Sequence, residues 1–413
     1  MTEAQQDVAA DDTHDPLAGQ PITELERDGV HYTLLGTAHV SQASVDAVRA
    51  LAAQQRFDAI AVELCEPRYQ SMRNPDALAK LDLFRVIKEG KVSLVAANLA
   101  LSAYQRRLAE QLGVEPGAEM LAAIDESQRL NLPVWRVDRD VAITLKRTAA
   151  SVGFWQRLSM MSGLVASLLV NEKIEEDEIE KLKEGDLLEA TFGEFAKSRE
   201  PLYRALIAER DQYMAAALRQ EAARNPAAKR VLVVIGAGHL AGLAKRLSED
   251  TAEPAVVRES LRQLPPPKNW GTWVTLALAA LVIGGFIYGF SQGSDIGTDM
   301  VLQWALITGS FGAVGCLLSG GHPLSILSAF AVSPVTPLHP ALSSGMVSSL
   351  VEAWLRKPTV ADFHRLRDDA TSPRGWWRNR VSRVFLNFFL TNLGTAIGFY
   401  VAGWALYKAV SNA

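Results

Sequence analysis

Two histidines stand in the same setting far apart in the chain. His39 lies three residues after Gly36 in LLGTAHVS (34–41), and His239 lies three residues after Gly236 in VIGAGHLAG (234–242). Each glycine follows a short apolar run that reads as a strand, and a glycine there lets the backbone turn sharply into a site. Residues 57–64 (FDAIAVEL) form another such run and carry Glu63 near their carboxyl end, and 132–137 (LPVWRV) are followed by Asp138. In an open α/β sheet, ligands collect at the carboxyl ends of the strands. Two imidazoles and a carboxylate converging there suit a divalent cation with positions open to water or substrate. Such an ion brings the pKa of its water toward neutrality and polarises a carbonyl, as amide or ester hydrolysis requires. Taken singly, each histidine would more often be structural; the repetition of the device is what raises a metal to an even alternative.

A competing reading of the second device is a dinucleotide-binding turn, since Gly236, Gly238 and Gly242 follow a strand and Glu259 lies about twenty residues on. A nucleotide-binding half needs further strand and helix units after that turn, and only some 25 residues precede the proline-rich LPPPK at 264–268. In PLYRALIAERDQYMAAAL (201–218) the charges Glu209, Arg210 and Asp211 sit in a helix whose Leu202, Leu206, Tyr213 and Leu218 suit core contact. They are either solvated or a clamp on a substrate carboxylate. Cys65, close to Glu63, reads as a buried thiol rather than a nucleophile.

The elements that must position these residues read as an α/β soluble domain over 21–262. Residues 22–27, Asp28-Gly29 and 30–35 predict a hairpin. Ser41 is a candidate N-cap for a helix to about 55, a second helix covers 119–130, and 230–235 (RVLVVI) is a buried strand. Alternating strands and helices predict a mostly parallel sheet covered on both faces. Residues 154–199 are expected as a helical insertion whose acidic run NEKIEEDEIEKLKEGD reads as a solvated face, with a lid or dimer contact as the alternative. Residues 1–20 are expected as a disordered tail.

Beyond a proline linker at 263–271 the composition changes. Asp295 and Asp299 are the sole charged residues between 272 and 351. An α-helical transmembrane domain over 272–413 follows, with spans near 272–290, 301–318 and 385–410. Trp270, Trp273 and Trp304 read as interfacial aromatics. SPVTPLHP (333–340) breaks the apolar segment 324–354, which predicts a re-entrant hairpin rather than one span, with two separate spans as the alternative. His322 and His339, flanked by prolines, are expected to satisfy freed carbonyls there. Residues 352–383 hold eight Lys or Arg against four acids, so that loop is expected in the cytoplasm. The acidic first thirty residues contain no apolar run of signal-peptide length, and the soluble domain is expected on the same side of an inner membrane. A net charge of −4 argues against a nucleic-acid partner, and two cysteines without CxxC spacing argue against a disulfide framework or a thiolate zinc site.

LLGTAHVS, VELCEPRY (62–69), PGAEM (116–120), VDRD (137–140), ERDQYM (209–214) and VIGAGHLAG together resemble the TraB/PrgY pheromone-shutdown family, related to the Tiki metalloproteases and GumN-type proteins. HPLSILSAF, SPVTPLHP and VEAWLRKPTVADF extend the resemblance into the membrane part. The resemblance implies a metal-dependent, peptidase-like domain with His39, His239 and Glu63 at its centre and Arg68, Glu119, Glu209 and Arg210 nearby. The expected function is a membrane-anchored hydrolase acting on peptides, with Mn, Co or Zn as cofactor. The expected partners are a peptide, the bilayer and a second copy of the chain. Peptide sequestration or transport without catalysis is the alternative.

Overall fold

The computed structural model describes residues 15–37, 42–54, 56–73, 82–93, 117–153, 200–266, 270–339 and 342–411, with isolated positions at 95, 96, 99 and 156. His39, Ser41 and nearly all of the 154–199 insertion lie outside these residues. The chain divides into two units: Met1–Met72, Leu108–Phe154 and Lys173–Leu264 form one, and Arg73–Arg107, Trp155–Glu172 and Pro265–Ala413 the other.

The first unit is built on a five-stranded sheet. β1 (Ile22–Arg27) and β2 (Val30–Thr37) pair antiparallel through a tight turn in which Asp28 and Gly29 both take positive φ, 52° and 73°. That is the backbone a two-residue hairpin of the favoured twist requires. α1 (Gln42–Gln54) leads to β3 (Ala59–Val62) and α2 (Glu66–Arg73). α3 (Leu83–Lys88) belongs to the second unit. α4 (Ala118–Arg129), β4 (Val134–Arg136) and α5 (Val141–Ser151) follow. α6 (Glu200–Tyr203) passes through a π-helical turn (Arg204–Ala208) into α7 (Glu209–Arg224), and then come β5 (Arg230–Gly236), α8 (Ala237–Glu249) and α9 (Pro254–Arg262).

The strand order is β1-β2-β5-β3-β4, with β2, β5, β3 and β4 mutually parallel. Side chains of β5 alternate between faces. Val231, Val233 and Ile235 join Tyr213, Leu218, Leu243 and Leu247 in one core, whereas Leu232 and Val234 join Val45, Leu51, Met120 and Ile124 in the other. Helices thus cover both faces, as a parallel sheet demands. β5 is the last strand of the described sheet, so nothing after Gly236 supplies the further strands of a nucleotide-binding half.

The second unit contains α10 (Trp270–Gln292), α11 (Ser294–Leu318) and α16 (Arg380–Ser411), three helices long and apolar enough to cross a membrane. Between the last two lie α12 (Pro323–Val332), a 3-10 turn (Thr336–Leu338), α13 (Ser344–Arg356), α14 (Val360–Asp369) and α15 (Pro373–Arg378). At 1.5 Å per residue, α12 and α13 reach roughly 15 and 20 Å, short of a ~30 Å hydrocarbon core. α3 packs here, its Leu83, Val86 and Ile87 meeting Phe363, Leu366 and Phe385.

Two details depart from the sequence reading. α11 starts at Ser294 and only Gly293 separates it from α10, so Asp295 and Asp299 are helical rather than in a loop. Asp295 stands in the first turn, where the helix dipole favours an anion. Trp304 is accordingly internal: it is 3% exposed, packs edge-on against Phe286 and Phe399, and donates its indole N–H to Pro334 O at 2.9 Å.

α11 and α16 cross backbone to backbone through glycines. A Cβ on Gly315 would stand 2.1 Å from Leu390 O, and one on Gly394 2.2 Å from Phe311 O. Such small-residue contacts are the usual basis of helix association in membranes. Gly315→Leu is expected to destabilise the second unit by about 3 kcal/mol, seen as a lowered melting temperature and loss of a monodisperse peak in detergent; wild-type melting would show that the helices part without cost.

Candidate functional site

The parallel strands all point the same way, so their carboxyl ends share one edge. Glu63 immediately follows β3, and its N–H bonds Val234 O at 3.1 Å, which seats it beside the end of β5. There its Oε2 accepts the Gly236 N–H at 2.7 Å. Asp138 lies two residues past β4, with its own N–H on Leu64 O. His239 is the third residue of α8, directly after β5.

Arg210, from α7, ties the three together. Its Nε and Nη2 donate to the two oxygens of Asp138 at 3.0 and 2.9 Å, Nη2 also donates to Glu63 Oε1, and Nη1 lies 2.8 Å from His239 Nε2. A guanidinium has no acceptor, so Nε2 must be the lone-pair nitrogen. The ring proton then sits on Nδ1, which donates to Asp211 Oδ1 at 2.6 Å. This is the tautomer of a histidine that offers Nε2 to a cation while a carboxylate holds its other edge. Burial penalises the Arg210 charge, yet Asp138 and Glu63 outweigh that and raise its pKa. Burial raises the pKa of Asp211, against the His239 hydrogen bond that lowers it.

Local backbone explains why consecutive residues of α7 point to different tasks. The π-helical turn 204–208 inserts one residue into the helix, so Ile207 rather than Leu206 enters the core and the Glu209-Arg210-Asp211 triplet is rephased against the sheet. Gly242 has a specific purpose: a Cβ there would lie 2.0 Å from Asp211 Oδ2. The third glycine of the nucleotide-like pattern thus makes room for the carboxylate that backs His239.

Glu209 bonds to a different pair of side chains. Its Oε2 accepts from Arg139 Nη1 at 2.8 Å and Arg147 Nε at 2.7 Å, and its Oε1 accepts from Arg147 Nη2 at 2.9 Å. Arg139 is 1% exposed and also bonds Thr144 Oγ1 and Ala205 O. Burial acts to raise the pKa of Glu209, but the two arginines prevail and lower it.

Of the residues singled out in the sequence, the structure therefore brings Glu63, Asp138, Arg210, Asp211 and His239 together and places Glu209 in an adjoining ion cluster. Glu119 is buried in the first turn of α4, and Arg68 is exposed on α2 with no described ion pair to the group. His39 lies outside the described residues. Arg139 and Arg147 are additions, the first hinted at only by VDRD, and Asp211 backs His239 rather than being solvated or clamping a substrate. Cys65 is buried, and burial raises its thiol pKa, which disfavours the thiolate. Among the described residues no three His, Cys, Asp or Glu side chains assemble into a metal-binding group.

Glu209→Gln removes the countercharge of a buried arginine and is expected to destabilise the first unit by about 3 kcal/mol. Because the carboxyl pKa is lower folded than unfolded, the wild-type advantage should be complete above the unfolded pKa of about 4.3 and fade as pH falls toward the folded value. Chemical denaturation of both proteins at neutral and acid pH measures this, and equal stability at pH 7 would contradict it.

Residues 21–254 match the TraB/PrgY/gumN family, and residues 270–411 match the C-terminal domain of TraB family proteins. An uncharacterised protein of Methanocaldococcus jannaschii is 30% identical over 378 residues, covering 90% of this chain and 93% of its own. The TraB domain-containing proteins of Bos taurus and Homo sapiens are 29% and 28% identical, covering 66% and 65% of this chain and 76% and 75% of theirs. With matches to both halves of the family architecture in their expected order, the chain belongs to the TraB/PrgY/gumN family.

Proposed function

We propose that this protein is a membrane-anchored, metal-dependent hydrolase acting on peptides. The observation that carries the reading is the disposition of His239 and Glu63: Nε2 and Oε1 lie 3.5 Å apart, both directed at one cationic centre, with Asp211 fixing the ring. That spacing and donor chemistry fit two ligands of one divalent ion, and His39, three residues beyond Gly36, would be the third. When bound, the ion would supply an activated water and a polarised carbonyl.

The chain's own residues do the rest. Asp211 keeps the proton on Nδ1 and so keeps Nε2 available. Glu63, anchored through Oε2 by the Gly236 N–H, would offer Oε1, which here accepts from Arg210 Nη2, as a ligand or as the acceptor of a proton from water, though not fully both. Arg210, kept in place by its two-point pair with Asp138, would orient a substrate carboxylate or stabilise a developing oxyanion. A second reading has its own support: the Arg210 guanidinium already neutralises Glu63 and contacts Nε2, so the site could capture a peptide without metal or catalysis.

α10, α11 and α16 would cross an inner membrane, and α12 and α13 would enter and leave it on one side. The base-rich 352–383 segment then lies in the cytoplasm together with the first unit.

Full-length protein in detergent should bind close to one Mn, Co or Zn per chain by elemental analysis. His239→Ala should lose that ion and at least a hundredfold of metal-stimulated peptide cleavage while remaining monodisperse. Peptide affinity with no metal, unchanged in that variant, would favour capture instead. For topology, Gly293→Cys should react with an impermeant maleimide added outside intact cells and Thr371→Cys should not; the reverse pattern would invert the proposed orientation.

A further inference from the structure

We infer that α15 and the adjoining end of α11 form a binding site for one anionic phospholipid. The inference rests on the reading that α11 and α16 cross a bilayer. Three arginines near this end are already engaged. Arg356 pairs with Glu352 at 3.0 Å, Arg380 lies 3.9 Å from Asp362, and Arg383 donates to the carbonyls of Trp377 and Arg378, which closes the end of α15. Arg374 and Arg378 are different. Both are exposed, and neither has an acid partner or a side-chain hydrogen bond among the described residues.

Arg374 and Arg378, one turn apart on α15, stand with Pro373 and Trp377 around an open, mostly apolar surface. Trp377 links this surface to the end of α11. Its indole N–H donates to Leu318 O at 2.9 Å, which holds the 42% exposed ring at the terminus of α11. Leu317 and Leu318, the last residues of that apolar helix, are 59% and 63% exposed. The surface therefore runs from two leucines, through an indole, to two unpaired cations. That is the sequence of chemistry along a phospholipid, from acyl chain through the interface to the phosphate. A free phosphate would use only the arginines, and the exposed leucines and indole favour the lipid.

The full chain is purified in detergent and offered equimolar phosphatidylglycerol and phosphatidylcholine with identical acyl chains, and retained lipid is read by native mass spectrometry. Wild type should retain phosphatidylglycerol with about tenfold preference. Arg374→Gln with Arg378→Gln should bring the ratio near one with elution and melting unchanged, and the Lys pair should keep most of the preference. Equal retention by wild type, a preference that survives the Gln pair, or displacement by millimolar glycerol phosphate as effective as by the lipid would each overturn the site. Flotation with pure phosphatidylcholine vesicles separates the two failures. A chain that floats but shows no preference loses only the lipid site, whereas one that does not float loses the membrane reading as well.

Discussion

A guanidinium buried at the carboxyl edge of a parallel sheet has to be neutralised, and the first unit is arranged around meeting that requirement. Arg210 reaches from α7 to acids that follow two different strands, with the carboxylates of Glu63 and Asp138 around its charge. An unpaired buried charge would cost several kcal/mol, so helix and strand ends are held in a fixed relation. The same constraint sets the histidine. With Arg210 as donor on one edge and Asp211 as acceptor on the other, His239 has one tautomer and one orientation.

Beside this cluster, Arg139, Glu209 and Arg147 form a second group of alternating charge. It reaches the carbonyls of Leu261 and Gln263, the stem from which the chain leaves the first unit. Glu209 and Arg210 are neighbours in sequence but serve opposite sides, one clamping the helix start and the other holding the strand ends. The π-helical turn just before them provides that phasing.

How much of this was legible in the sequence follows from which interactions are local. The hairpin at Asp28-Gly29, the buried strand at 230–236 and the positions of Glu63 and His239 at strand ends depend on turn chemistry and alternation, which neighbouring residues display. Asp211 was not legible as the partner of His239, because a π insertion cannot be read from an ordinary helical period and shifts every side chain after it. Gly242 looked like a nucleotide fingerprint because sequence shows a missing side chain but not what occupies its space. In the second unit, hydropathy located three long helices. It placed Trp304 at an interface, because α11 begins at Ser294, ahead of the apolar run that marks the span in the sequence. His322 likewise accepts the Leu324 N–H as an N-cap instead of donating to a freed carbonyl.

Metal-dependent hydrolysis at this edge requires one cation position shared by His239 and Glu63. Crystals of the full chain soaked in zinc and measured on both sides of the zinc absorption edge locate such an ion without reference to activity. The expected result is a single strong anomalous peak within about 2.0–2.2 Å of His239 Nε2 and a Glu63 carboxylate oxygen, with Asp211 still on Nδ1. Full zinc occupancy elsewhere, with Arg210 still against Nε2 and no peak between these two side chains, would contradict it.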